Sequence, residues 1–400
     1  MSISTARTIP ASRERIQSID VLRGIVIVLM VLDHARDFLH ESGYAYNPLD
    51  PAHTTVLLYI TRWITHLCAP TFVFLAGVSI WLQRARGKDL SALSGHLIRR
   101  GGWLILLELT LVSIGWEFEI PYTPLLQVIW VIGWSMVVMA ALIWLPRWSV
   151  AVFGAGIVLG HNALDFIQPQ QLGAWAWLWV VLKTGGLLHL GGSSVVLDPY
   201  PVLPWTGVMA LGYVIGGVFL ESPIRRDWLL TAMGLTLVLL FLLLRLENIY
   251  GDPHEWVAHA GLIPTVMSFF DLQKYPPSLL YVCATLGPVI ASVPLIECWH
   301  GKGAQFFRTL GAVPMFAYVI HLYLVHSLSI VLHVAFHKEV QAQFGFIQNM
   351  FLAPELAQGS GLPLPLVYIL WVGTVALLYP LCRWFSEVKS QHTQWWLSYL

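Results

Sequence analysis

Residues 18–38, SIDVLRGIVIVLMVLDHARDF, form one apolar run with an Asp/Arg pair near its start and DHARD at its end. A helix rises about 1.5 Å per residue, so the run covers the ~30 Å of a hydrocarbon core. Ionisable groups at such depths are costly and mark functional positions by default. At about 100° per residue, Asp20, Arg23, Ile27, Met30, His34 and Asp37 share one stripe, while Asp33 and Arg36 point elsewhere. Arg23 and His34 then stand about 16 Å apart along the axis. One side of one helix thus reaches toward both faces of a membrane.

The rest of the chain sets this run in context. Of its 400 residues, 57% are hydrophobic and only 11% charged, with a mean hydropathy of +0.68. That composition lies outside the range of ordinary globular domains. Apolar runs begin near residues 18, 56, 103, 124, 149, 202, 228, 277, 309 and 363. The expected fold is therefore an all-α polytopic membrane protein, a bundle of about ten transmembrane helices. Residues 174–190, AWAWLWVVLKTGGLLHL, are short, Trp-rich and broken by KTGG, and read as an interfacial segment. With the N-terminus in the cytoplasm, 16 of the 22 Lys and Arg residues fall inside and 6 outside. The positive-inside bias supports that orientation.

This divides the chain into a cytoplasmic N-terminal segment (1–17), a transmembrane domain (18–388) and a cytoplasmic C-terminal tail (389–400). The first 17 residues are polar and no small-residue cleavage site follows the first apolar run, so that run reads as an anchor. Stretches between helices are too short for a soluble catalytic domain, which places any chemistry in the bundle or its loops. The four cysteines are scattered and show no metal spacing. Neither H-E-x-x-H nor a helical Glu-x-x-His pair occurs, so no metal is expected. Formal charge is zero and no basic tract is interleaved with aromatics, which disfavours nucleic acid.

Polar groups gather toward the far end of the helices. Asp33, His34 and Asp37 end the first; Arg62 and His66 are an i,i+4 pair in the second; His161 and Asp165 are another at the end of the fifth. His321 and His326 lie on the ninth, about 140° apart around the axis, and cannot both face one point. Histidine accepts and returns a proton near neutral pH, and a carboxylate beside it orients the ring. The alternative reading is interhelical hydrogen bonding. On the inner side, Arg84, Arg86, Lys88, Arg99 and Arg100 offer charge to a polyanion such as a nucleotide, while Asp20 and Arg23 can simply pair with each other. No P-loop or G-x-G-x-x-G is present, so phosphate would be held by side chains and helix ends.

Taken in order, residues 18–38, HLCAPTFVFLAGVS from His66, YPVLPWTGVMALGY from Tyr200, KYPPSLL from Lys274 and GAVPMFAYVIHLYLVH from Gly311 resemble the bacterial branch of the heparan-alpha-glucosaminide N-acetyltransferase catalytic-domain family. That family sits in a wider transmembrane acyltransferase superfamily. The resemblance implies transfer of an acyl group, typically acetyl, from cytoplasmic acyl-CoA to a sugar amine or hydroxyl on the far side. His34 occupies the place of the superfamily's helix 1 histidine. The lysosomal glucosaminide enzymes carry Asn there and place their catalytic His in the following luminal loop, where His53 stands here.

These readings together predict an integral-membrane acyltransferase acting on an envelope glycan in a bacterial inner membrane. His34 or His53 would be the base or acyl carrier, with Asp33 or Asp37 steering His34 and with Arg62 and His66 stabilising the oxyanion. Arg23, with Asp20, Arg84, Arg86, Arg99 and Arg100, would hold acetyl-CoA or another acyl-CoA; His161, Asp165, His321 and His326 would meet the acceptor. Membrane lipid is a partner, and a homodimer is compatible with this reading. The alternatives are a proton-coupled transporter or flippase for a sugar or lipid-linked intermediate, and a non-catalytic envelope partner.

Overall fold

Helix α1 (Gln17–Leu39) runs through the bundle and is buried on nearly every side. The computed structural model describes residues 16–50, 53–191, 194–347, 349, 359–392, 394 and 397. Residues 1–15 of the N-terminal segment, and residues 393, 395–396 and 398–400 of the tail, lie outside the described residues. A helix carrying Asp20, Arg23, Asp33, His34 and Arg36 would leave charge in hydrocarbon if it faced lipid, so an interior position is the cheaper placement.

Around α1 stand α2 (Val56–Thr65) and α3 (Cys68–Ala85), which form one span across a break at His66 and Leu67, and α4 (Leu90–Leu107). A π turn, Glu108–Val112, leads from α4 to the short α5 (Ser113–Glu117). Next come α6 (Val128–Leu142), α7 (Arg147–Gly160), α8 (Val202–Ile215) and α9 (Pro223–Leu246). The chain continues through α10 (Leu262–Phe270), α11 (Leu279–Glu297), α12 (Lys302–Ala312), α13 (Pro314–Ala335) and α14 (Leu364–Gln391). Among the described residues, six helical segments are long and apolar enough to cross a membrane: α2 with α3, α8 with its 3-10 extension, α9, α11, α13 and α14.

The most extensively packed helix pairs meet at glycines facing each other: Gly24 of α1 and Gly311 of α12, Gly77 of α3 and Gly212 of α8, Gly101 of α4 and Gly133 of α6, Gly234 of α9 and Gly287 of α11. A Cβ on Gly24 would stand 1.8 Å from the Phe307 carbonyl oxygen, and one on Gly311 would stand 1.9 Å from that of Asp20. Lipid gives helices no hydrophobic drive to associate, so close backbone approach at small residues does that work. The Gly24–Gly311 crossing fixes Asp20 and Arg23 beside α12.

The segment 174–190 breaks at KTGG, as its sequence reads, and adds an unexpected strand. After a 3-10 turn, one α turn and a π turn (Val180–Thr184), Gly185 adopts φ 65° and the chain enters strand β1 (Gly186–Gly191), antiparallel to β2 (Ser194–Asp198). The pair of glycines at 185–186 ends the helix because each takes a backbone conformation that side chains disfavour. This hairpin is the only sheet among the described residues.

Candidate active site

His34 and His321 face each other across the α1/α13 interface. His34 Nδ1 lies 2.8 Å from His321 Nε2, and His321 Nδ1 lies 2.9 Å from the Ala317 carbonyl. A carbonyl only accepts, so His321 Nδ1 carries the proton and its Nε2 is a lone pair. His34 Nδ1 must then donate, which leaves His34 Nε2 as the basic nitrogen. That nitrogen has no hydrogen-bond partner among the described residues, and His34 remains slightly exposed at 8%. His321, and neither Asp33 nor Asp37, is therefore the group that orients His34.

Asp33 serves a different purpose. Its Oδ1 accepts from Arg36 at 2.8 Å, Arg62 at 2.9 Å and Thr65 at 2.8 Å, and its Oδ2 lies 3.9 Å from Lys274 Nζ. Arg36 also pairs with Asp37 at 2.6 Å. Three cations and two carboxylates thus tie α1 and α2 to the loop before α11. Tyr275 packs edge-on to Tyr200 at 5.2 Å and stands beside Arg62. Nearby, outside the spans, burial pushes the Asp198 carboxyl up to about 7 and raises that of Asp271. The helix breaks after Thr65, so His66 turns edge-on to Tyr281 at 5.4 Å, its Nε2 buried and without a partner among the described residues.

A cavity of about 430 Å³ approaches this site from the opposite end of α1. Its mouth is polar, lined by Arg23, Gln83, His96, Arg100 and Lys389. Arg23 is held there by Ser79 at 2.5 Å and Asp20 at 3.3 Å. Phe72, Ala76, Ser79 and Gln83 share one face of α3 and line the cavity along about 16 Å of its depth. The inner wall is apolar except for Tyr318, whose ring lies edge-on to His34 at 6.1 Å. The Tyr318 hydroxyl is buried beside the Trp116 indole N–H, and no acceptor for its own proton lies within hydrogen-bond reach among the described residues. Trp116, on α5, completes the wall around His34 with its ring edge-on at 5.0 Å.

Residues 15–249, well over half the chain, match the family described as heparan-alpha-glucosaminide N-acetyltransferase, catalytic. The chain belongs to this family. As a member of an acetyltransferase family with multiple apolar spans, it is a multi-pass membrane protein of transferase type. No curated protein matches the chain as a relative. The family match covers α1 to α9, so Lys274, Tyr318 and His321 come from beyond it.

Other nominated residues of this acetyltransferase family member lie apart from the His34 nitrogen. His53 is exposed, paired with Asp50 at 2.8 Å and set at a tilt to the Tyr46 ring. Both ring nitrogens of His161 face carbonyls, of Ile157 and Pro277, and Asp165 pairs with Lys183 at 2.5 Å. His326 is likewise engaged on both sides, by the Gly115 and Gln343 carbonyls. Arg84 donates to the Ile143 carbonyl and to Tyr213. Arg86 and Arg99 are exposed at the same end, and of the basic loop only Arg100 lines the cavity. Sequence reasoning passed over Tyr318, Trp116 and Lys274 as site residues. The last two motifs of the resemblance, KYPPSLL and GAVPMFAYVIHLYLVH, contained Lys274 and Tyr318, and a polar side chain beside or within an apolar run was the available signal.

Proposed function

We propose that this protein moves an acyl group, acetyl in the first instance, from cytoplasmic acyl-CoA to a sugar amine or hydroxyl on the extracytoplasmic side of a bacterial inner membrane. The observation that carries the reading is the cavity itself, which leads from the cationic mouth at Arg23 to Tyr318 beside His34. A polar, basic mouth and an apolar interior suit a ligand with a polyanionic head and an uncharged thioester arm. Positive charge at the Arg23 end supports a cytoplasmic placement of that face, with about ten crossings of the membrane.

In the reaction, the acceptor N–H or O–H gives its proton to His34 Nε2 as its heteroatom attacks the thioester carbonyl carbon. The Tyr318 hydroxyl donates to the oxyanion, the C–S bond breaks, and the thiolate leaves into the cavity. The imidazolium is stabilised through Nδ1–H on His321, and the proton then passes to solvent or thiolate. Asp33 holds Arg36, Arg62 and Lys274 where the acceptor enters. Purified protein in nanodiscs, given labelled acetyl-CoA and a panel of amino sugars and envelope glycans, should transfer the label. No transfer to any acceptor, together with no heat of CoA binding, would contradict the reading.

A further inference from the structure

A wholly apolar groove of about 440 Å³ runs between α2 and α10. Val56, Tyr59, Ile60 and Trp63 supply one wall at i, i+3, i+4 and i+7, and the outer face of α10 supplies the other. The one hydroxyl in the wall, on Tyr59, is turned away onto the Met267 carbonyl at 2.7 Å. Helix α10 has nine residues, too few to cross a membrane, and Leu262 and Ile263 on it are 79% and 56% exposed. Even so, its C-terminal end is fastened by a buried guanidinium. Arg245 donates to the carbonyls of Ser268, Phe269 and Asp271 at 2.9 to 3.0 Å. A charge buried to hold so short a helix indicates that its position matters.

Both walls of this groove lead into the Asp33 cluster. On α2, Trp63 lines the groove while the adjacent Arg62 pairs with Asp33. Beyond α10, three residues separate Phe270 in the groove from Lys274. The cluster carries a formal surplus of one positive charge, from Arg36, Arg62 and Lys274 against Asp33 and Asp37. Lys274 comes no closer than 3.9 Å to Asp33, and the buried Arg36 Nε has no partner among the described residues. Apolar groove and surplus cation therefore follow one another along α2 and the loop after α10, and Asp33, at the centre of the cluster, directly precedes His34 on α1.

We propose that the acceptor is a glycan carried on a single-chain lipid phosphate. Its chain lies in the α2/α10 groove, its phosphate meets Lys274, and its sugar reaches His34; this rests on the acyl-transfer reading above. Two helices bound the groove, which suits one chain. The surplus charge suits a phosphate, since an ammonium pairs with it as a point charge.

Four acceptors in nanodiscs test this: glucosamine, glucosamine 1-phosphate, a long-chain alkyl glucosaminide, and glucosamine joined to the same chain through phosphate. The chain and the phosphate should each raise kcat/KM by about tenfold, equivalent to about 1.4 kcal/mol of binding. Val266→Trp, which fills the groove, should abolish the advantage of the chain, and Lys274→Ala that of the phosphate. Leu239→Trp, on the exposed face of α9, should keep both. Equal kcat/KM with and without the chain, or a chain advantage that survives Val266→Trp, would overturn the proposal. A photoactivatable chain on the same sugar phosphate should label α2 and α10, whereas labelling spread over α9 and α14 would overturn it. Groove labelling without transfer to any acceptor would sustain the groove assignment and instead reject the acyl-transfer reading.

Discussion

His34 Nδ1 donates to His321 Nε2 across 2.8 Å, and the Ala317 carbonyl fixes the tautomer of the second ring. The pair joins α1 to α13, two helices whose sequences lie far apart. It leaves His34 Nε2 as the one nitrogen of the two rings with a lone pair to offer.

His321→Ala should therefore lower kcat by about ten- to a hundredfold, a fraction of what a missing general base costs, and leave KM for acyl-CoA near the parent value. His321→Gln, whose side chain can still accept from His34, should recover part of the loss. Steady-state kinetics of the two variants separate positioning from simple unfolding, because a structural defect would move both alike.

Tyr318→Phe removes a hydroxyl that lines the cavity and whose proton has no acceptor among the described residues. Only the Trp116 indole N–H loses a polar neighbour, so thermal stability in detergent should fall little. Turnover should fall by about 10²- to 10³-fold, the range for one oxyanion donor. Rapid-quench measurement of the first turnover should show the loss in the chemical step.

Arg23→Gln and Arg100→Gln act at the mouth of the cavity. Each should raise KM for acyl-CoA by several-fold while kcat at saturation stays close to the parent. The affinity of the parent should weaken with salt, because exposed charges are screened within about 8 to 10 Å at physiological ionic strength. Titration of CoA at two salt concentrations checks this.

Gly24→Ala sets a methyl group 1.8 Å from the Phe307 carbonyl oxygen, a backbone atom that cannot turn aside. The change should cost more than the ~1–3 kcal/mol typical of overpacking and push α12 off α1. Ala substitution at Gly156, where a Cβ would meet no atom within 4 Å, should leave the melting temperature unchanged.

Much of the bundle was legible in local sequence, because membrane spans announce themselves by length and apolarity. The α1 stripe placed Arg23 and His34 at opposite ends, and the gathering of polar groups toward one end of the helices put Arg62 with Asp33, which it meets; the i,i+4 pairing of Arg62 with His66 is lost because the helix ends at Thr65. The expectation that a carboxylate would orient His34 weighed neighbours in sequence, whereas the partner, His321, is 287 residues away. Helical spacing correctly set His321 and His326 on different faces, yet it could not say which would reach α1. The glycine crossings are pairings between helices and leave no periodic trace in either one. The hairpin at 186–198 was hidden by the Trp-rich run before it, although Gly191 and Gly192 between two apolar stretches carried a turn signal.

The central claim is that His34, rather than His53, removes the acceptor's proton at the end of the donor cavity. Transfer of labelled acetyl from acetyl-CoA by purified His34→Ala and His53→Ala proteins tests it most directly. His34→Ala should lose about 10²- to 10⁴-fold in turnover while still binding CoA, and His53→Ala should work at the parent rate. Parent-level turnover by His34→Ala, or its loss in His53→Ala, would contradict it.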